Sequence, residues 1–206
     1  MPNWCYTDYT FIGNEKEIKD FCNKIKSFTS KERIPNNFGN FWLGNILDGF
    51  SFDYNEIDCR GEVLSVSEIT KHLSECKFSV NIMTAWKPMP KMWKKIVEKY
   101  YPSIRYVFIS EEEGNDILVN TDVEGSIYSD RFCMELSVPE KYECESTYYF
   151  SSEKDITETL NSIFGYSYDN YEQCVKAVQE ELEKEEYCNK EYYILVHKYA
   201  TTYENE

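Results

Sequence analysis

Phe78-Ser79-Val80-Asn81-Ile82-Met83-Thr84-Ala85-Trp86, continued by Lys87-Pro88-Met89-Pro90-Lys91-Met92-Trp93-Lys94-Lys95-Ile96-Val97-Glu98-Lys99-Tyr100-Tyr101-Pro102, is the stretch whose periodicity decides the fold class. In its first part Phe78, Val80, Ile82 and Thr84 alternate with Ser79, Asn81, Met83 and Ala85, the pattern of a strand with one apolar face. Trp86, two positions beyond Thr84, continues that face and reads as core. The period then changes. Met89, Trp93, Ile96, Val97 and Tyr100 recur at helical spacing, and Pro88 or Pro90 suits a first turn, where a missing N–H costs nothing. Pro102 stops the helix.

Working outward, Trp4 to Ile12 is rich in aromatic and β-branched residues and closes at Gly13, a strand and a turn. Asn14 then caps a helix, with Glu17 at the reciprocal position of a capping box and Ile18, Phe21, Cys22, Ile25 and Phe28 on one face. From residue 34 to 50, Asn36, Asn37, Gly39, Asn40, Gly44, Asn45 and Gly49 punctuate Phe38, Phe41, Trp42 and Phe50, which predicts an irregular segment tied down by aromatics. A short helix is expected from Ser65, with Glu68 as its capping partner and Ile69 and Leu73 inward. Downstream, Ile104 to Ile109 and Ile117 to Asn120 read as strands joined by an acidic turn from Glu111 to Asp116. The last third continues with strands at 126–136 and 148–150. A helix capped by Ser152 and ended by Gly165 follows, with Ile156, Leu160, Ile163 and Phe164 inward. A helix over 170–187 carries Cys174, Val175, Val178 and Leu182, with Glu180 and Lys184 placed for an ion pair worth ~0.3 to 0.5 kcal/mol. Residues 192–199 read as a strand buried on both faces, and 200–206 as a frayed end. The mixture is α+β.

The 206 residues hold 12 Phe, 18 Tyr and 4 Trp, too much apolar bulk for a disordered chain. No run reaches the ~20 apolar residues of a membrane span, and the N-terminus lacks the pattern of a secretory signal, so the expected location is the cytoplasm. The eight cysteines are widely spaced, with no CxxC, and read as reduced thiols in the core. Residues 1–103 hold 14 basic and 13 acidic residues, whereas 104–206 hold 8 and 24, a net of −16. That deficit repels a phosphate backbone and argues against direct nucleic-acid binding by the second half, while it attracts basic surfaces.

Met1-Pro2-Asn3-Trp4-Cys5, the Gly13 that ends the first strand, Thr84-Ala85-Trp86-Lys87-Pro88-Met89-Pro90 with Trp93, Tyr101-Pro102 and the Glu113-Gly114 turn resemble the YubB ferredoxin-like family of phage and plasmid proteins. The resemblance covers about residues 1–125. Here Met89 separates two prolines that the family usually places together. The resemblance implies a ferredoxin-like mixed or antiparallel sheet with helices on one face over 1–125. Residues 126–206 are then an acidic α+β extension, one that could continue the same sheet. It also implies a mobile genetic element as source, and carries over no catalytic residues.

Chemistry is harder to place. His72 and His197 stand far apart with no metal-ligand spacing, and the acidic turn lacks the alternation of a calcium loop. No cysteine has a nucleophile signature, and Gly39 to Gly49 lacks the Walker lysine. No enzyme, cofactor or metal is therefore expected. Asn3, Trp4, Trp86 and Trp93 form one alternative, an aromatic pocket for a small molecule or nucleotide. An oligomerising accessory protein is another. The tyrosines of the acidic half, among them Tyr142, Tyr148, Tyr149, Tyr166, Tyr168, Tyr171, Tyr187, Tyr192, Tyr193, Tyr199 and Tyr203, are typical interface anchors. Together with the charge they favour a mobile-element protein that occupies the basic, nucleic-acid-binding surface of a host protein in the cytosol, as a nucleic-acid mimic of anti-restriction or anti-CRISPR type. Glu111, Glu112, Glu113, Asp116, Glu180, Glu183, Glu185 and Glu186 are the partner-binding candidates.

Overall fold

A computed structural model of the protein describes residues 3–31, 33–35, 37, 39–72, 74–112, 114, 116–184 and 191–203. The chain divides into two units, one running to Val123 and regaining the segment from Thr201, the other spanning Glu124–Ala200. Both are α+β with antiparallel sheets, and the described residues include five α-helices. No helix among them is long and apolar enough to cross a membrane.

In the first unit, β1 (Trp4–Gly13) lies between β4 (Glu75–Ala85) and β5 (Arg105–Glu112). β2 (Gly61–Val66) pairs with the far side of β4, and β6 (Ile117–Asn120) with the far side of β5, so the order is β2-β4-β1-β5-β6. A three-residue β3 (Thr70–His72) also pairs with β4. Alternation along β1 sends Tyr9 and Phe11 to the same core as Phe78, Val80 and Ile82 of β4 and Phe108 of β5. Three helices contribute to that core: α1 (Glu15–Phe28) through Ile18, Phe21 and Ile25, α2 (Leu43–Gly49) through Leu43, Ile46 and Leu47, and α3 (Pro90–Tyr100) through Met92, Trp93 and Ile96. Phe11 sits at its centre, 4.9 Å from Phe21, 5.2 Å from Trp93 and 5.4 Å from Phe78 between ring centroids.

Several local expectations hold and several fail for identifiable reasons. Asn14 caps α1, its Oδ1 accepting from the Glu17 N–H at 3.0 Å. The Glu17 carboxylate accepts from the Ser103 hydroxyl instead of turning back to the cap. The expected irregular segment contains α2, because its glycines serve packing. A Cβ on Gly44 would meet the Trp42 ring at 2.4 Å, and one on Gly49 the Phe28 ring at 2.4 Å. The fully buried Asn45 holds the preceding loop: Oδ1 accepts from the N–H groups of Arg33 and Ile34 at 3.3 Å, and Nδ2 donates to the carbonyls of Gly39 and Asn40 at 3.0 and 2.9 Å. The expected helix from Ser65 is absent; β2 and β3 occupy that stretch, where pairing with β4 satisfies the backbone and overrides the capping signature. Leu73 lies outside the described residues. Trp86 is not core. Ala85 ends β4, and Trp86 adopts φ +66° and lies 46% exposed, with the Arg60 guanidinium 4.7 Å from its ring.

The second unit has a sheet of its own, order β8-β7-β9, built from β7 (Phe132–Ser137), β8 (Thr147–Phe150) and β9 (Tyr193–Lys198). It does not extend the first sheet. Ser152 caps α4 (Glu153–Phe164), Gly165 ends it at φ +71°, and Asn170 caps α5 (Tyr171–Leu182). Met134, Leu136, Phe150, Ile156, Leu160, Cys174 and Val178 form the core. The expected strand at 126–136 is shorter and begins at Phe132. β9, expected to be buried on both faces, is an edge strand with Tyr193 and Leu195 exposed. Of the end expected to fray, Tyr203 packs against the first unit's core, while residues 204–206 lie outside the described residues.

Candidate functional site

The partner-binding residues named from sequence separate between the units and differ in exposure. Glu111 and Glu112 end β5, where the alternation Phe108, Ser110, Glu112 turns Glu112 inward. Glu112 is 3% exposed, so it contributes no charge to a surface and the acidic turn is not wholly solvated as expected. Glu111 is half-buried opposite Tyr6, and Asp116 is exposed at φ +52°. In the second unit Glu180 and Glu183 are exposed. The expected Glu180–Lys184 pair is replaced: Lys176 approaches Glu180 at 3.8 Å, and Lys184 pairs with Glu181. Glu113, Glu185 and Glu186 lie outside the described residues.

Most of the tyrosines read as interface anchors are structural. Tyr148, Tyr166, Tyr171 and Tyr192 pack against the second core, and Tyr199 is buried. Tyr142 packs on Phe164 at 4.6 Å. Tyr149, Tyr168 and Tyr193 are exposed among the described tyrosines of this unit, and Tyr187 lies outside the described residues.

The geometry instead gathers acid and phenol along one groove of about 490 Å³ between the start of α4 and the start of α5. Glu153, Glu158, Asp169 and Glu172 line it with Tyr168, Tyr171, Asn161 and a single cation, Lys154. All four carboxylates are exposed. Lys154 is 3.4 Å from Glu158, an exposed i,i+4 pair of little energetic weight. Glu153 and Glu172 occupy first helical turns, where negative charge meets the positive end of the macrodipole. Burial pushes the Tyr171 hydroxyl up, and the charges of Glu172 and Glu153 add to it, so two carboxylates converge on this ring. Asn161 fixes the wall: its Nδ2 donates to the Tyr168 carbonyl at 2.9 Å and its Oδ1 accepts from the Tyr168 N–H at 3.0 Å. A four-to-one excess of carboxylates beside two tyrosines suits the guanidinium and ammonium groups of a partner. Sequence reasoning missed this set because residues 153–158 and 168–172 meet only when α4 and α5 pack.

The aromatic pocket of the sequence reading does not assemble. Trp93 is fully buried in the first core and Trp86 is turned outward, whereas Asn3 and Trp4 line a separate groove with Tyr6, Glu111, Glu112 and Gly114. Beneath it lies a polar cluster: Cys5 Sγ is 3.1 Å from Ser110 Oγ, which is 2.8 Å from Thr7 Oγ1. Burial pushes the Cys5 thiol up, and the nearby Glu112 charge reinforces this. Among the described residues no group of three or more His, Cys, Asp or Glu is placed to hold a metal.

Seven cysteines are described, each a thiol; six are buried and Cys144 is half-buried, while Cys188 lies outside the described residues. Burial, aided by the Asp58 charge, raises the Cys59 thiol from 9.0 to about 11. The folded chain therefore keeps a proton that the unfolded chain loses. Its stability contribution is complete below about pH 9 and disappears as pH rises toward 11. Iodoacetamide at about pH 8 is expected to leave Cys59 unlabelled in the folded protein and to label it in urea. Cys59→Ala should flatten the alkaline fall of the urea midpoint; an unchanged pH profile would contradict the assignment. No protein-family model, curated protein or solved structure matches the chain.

Proposed function

We propose that the chain is a non-enzymatic accessory protein of a phage or other mobile element, which binds a host protein through the acidic second unit and blocks its nucleic-acid site. An inhibitor of anti-restriction or anti-CRISPR type fits this reading. The observation that carries it is the groove in which Glu153, Glu158, Asp169 and Glu172 face one lysine beside Tyr168 and Tyr171. The second unit, Glu124–Ala200, holds 7 basic and 17 acidic residues, so its surroundings reinforce the groove's sign. The strand order β2-β4-β1-β5, with α1 between β1 and β2 and α3 between β4 and β5, supports reading the first unit as a ferredoxin-like sheet related to the YubB family. β6 is then an addition to one edge, and the second unit the acidic extension. Action in the host cytosol belongs to the same proposal.

The test is capture from host lysate at low and high salt, followed by a nucleic-acid binding assay on the captured protein. The joint change Glu153→Lys, Glu158→Lys, Asp169→Lys and Glu172→Lys is expected to weaken capture by about a hundredfold or more, because like charges across an interface cost several kcal/mol. Reversal of Glu180 and Glu183 serves as the comparison outside the groove. Raising salt shortens the Debye length from ~10 Å at 0.1 M and should release the partner. Capture that ignores salt and the fourfold change, or a captured protein that still binds its nucleic acid, sinks the proposal.

A further inference from the structure

α3 buries Met92, Trp93, Ile96 and Val97, and the residues on its opposite face are almost all cationic. Lys91, Lys94 and Lys99 are exposed and Lys95 is half-buried, with Glu98 as the helix's one acid. Lys91, Lys95 and Lys99 stand four residues apart and so form one row, with about 6 Å along the axis between successive positions. Like charges at that spacing repel and weaken the helix. Several lysines elsewhere in the first unit take a carboxylate: Lys24 pairs with Asp20 at 2.8 Å, Lys26 with Glu68 at 2.9 Å and Lys87 with Asp58 at 2.6 Å. Acids are in excess there, since the unit holds 15 basic and 20 acidic residues. Yet among the described residues no carboxylate lies within 4 Å of Lys91, Lys95 or Lys99, and Glu98 approaches Lys94 at 3.9 Å. A row of unpaired ammonium groups in an acid-rich unit is the electrostatic footprint of a polyanion. Lysine is a point charge that suits phosphate, whereas a carboxylate surface is matched better by the arginine fork, and α3 has no arginine. At the end of the row Lys99 Nζ lies 4.6 Å from the Phe52 ring centre and 4.9 Å from that of Tyr100, which is 37% exposed. A ring beside a cation accepts a stacked base, which a duplex keeps within its own stack. Asp53, next to Phe52, accepts from both amide groups of Asn55.

We infer that the outer face of α3 binds single-stranded nucleic acid without sequence preference, with Lys91, Lys95 and Lys99 on its phosphates and Tyr100 against a base. The face belongs to the first unit and shares no residue with the acidic groove, so this inference and the partner proposal fail separately. The chain's net charge of −15 opposes the approach of any polyanion, so the row acts at short range and binding is confined to low ionic strength.

The probe is a fluorescein-labelled oligothymidylate of about 15 nucleotides, with an abasic strand and a duplex of equal length beside it, read by anisotropy from about 20 to 200 mM salt. The oligothymidylate is expected to bind more tightly than the other two, with a slope of log K on log salt of about −2 for three phosphates neutralised. Joint Lys91→Gln, Lys95→Gln and Lys99→Gln should weaken binding about tenfold or more and remove most of the slope. The same three positions changed to Arg should retain it. Since glutamine relieves the repulsion along the row, the variant should melt at or above the parent, and a loss of binding is then not a loss of fold. Lys154→Gln, in the acidic groove, should leave binding unchanged. No binding at about 20 mM salt, binding indifferent to the triple change, tighter binding of the duplex or the abasic strand, or equal competition by polyglutamate overturns the inference.

Discussion

Phe11→Ala is expected to destabilise the first unit by about 3–5 kcal/mol, the range for removing a buried ring. Against a total stability of about 5–15 kcal/mol for a domain, that is enough to leave much of the unit unfolded at moderate urea. The size follows from where the ring sits. Phe11 is fully buried and touches rings contributed by α1, β4 and α3, and each of those rings is held by further partners. Phe21 is stacked on Tyr101 at 4.6 Å and Trp93 is tilted against Tyr9 at 5.7 Å, so neither can relax into the vacated volume. Tyr6 on the same strand is 52% exposed, and Tyr6→Ala should fall within about 0.5 kcal/mol of the parent. Urea titration followed by tryptophan fluorescence separates the two. A loss below about 1 kcal/mol for Phe11→Ala would contradict the packing of α1 and α3 on the sheet around this ring.

Asn45→Ala should be the other severe change, on the order of 2–3 kcal/mol, although it deletes no apolar group. Its side chain makes four hydrogen bonds to the backbone of residues 33–40, and a methyl group replaces none of them. Two N–H groups and two carbonyls lose the Asn45 amide together. Asn45→Asp separates donors from acceptors: the N–H groups of Arg33 and Ile34 keep an oxygen, while the carbonyls of Gly39 and Asn40 face a carboxylate. That variant should be at least as unstable as the alanine. Amide exchange at Arg33 and Ile34 should quicken in Asn45→Ala, and unchanged protection there would show that the loop is held by other means.

The elements legible in sequence are those whose pattern is carried by their own residues. β4, α1, α3, α4 and α5 each show a clear period of two or of about 3.6, β1 is marked by its aromatic and β-branched residues, and Asn14, Ser152 and Asn170 cap helices through bonds made three residues away. The failures are those whose outcome depends on a distant partner. Gly44 and Gly49 look like breakers until Trp42 and Phe28 are seen to need the space above them. Ser65 and Glu68 look like a cap until β4 offers its edge. Trp86 looks inward until the chain reverses at a positive φ.

The site divides the same way. Acidity of the C-terminal part, its tyrosines and the acidic stretch from Glu111 are visible in composition alone, because charge and residue type do not depend on folding. Which carboxylates meet is a property of packing. α4 against α5 brings Glu153 and Glu158 beside Asp169 and Glu172, and the alternation at the end of β5 buries Glu112 while leaving Glu111 half-buried. Local periodicity thus determined what kind of element each stretch forms and which sign of charge each part carries, since both are encoded within a few neighbouring residues. Strand order, the division into two sheets and the assembly of both grooves were decided only by tertiary structure, because they rest on contacts between residues far apart in the chain that no local pattern encodes.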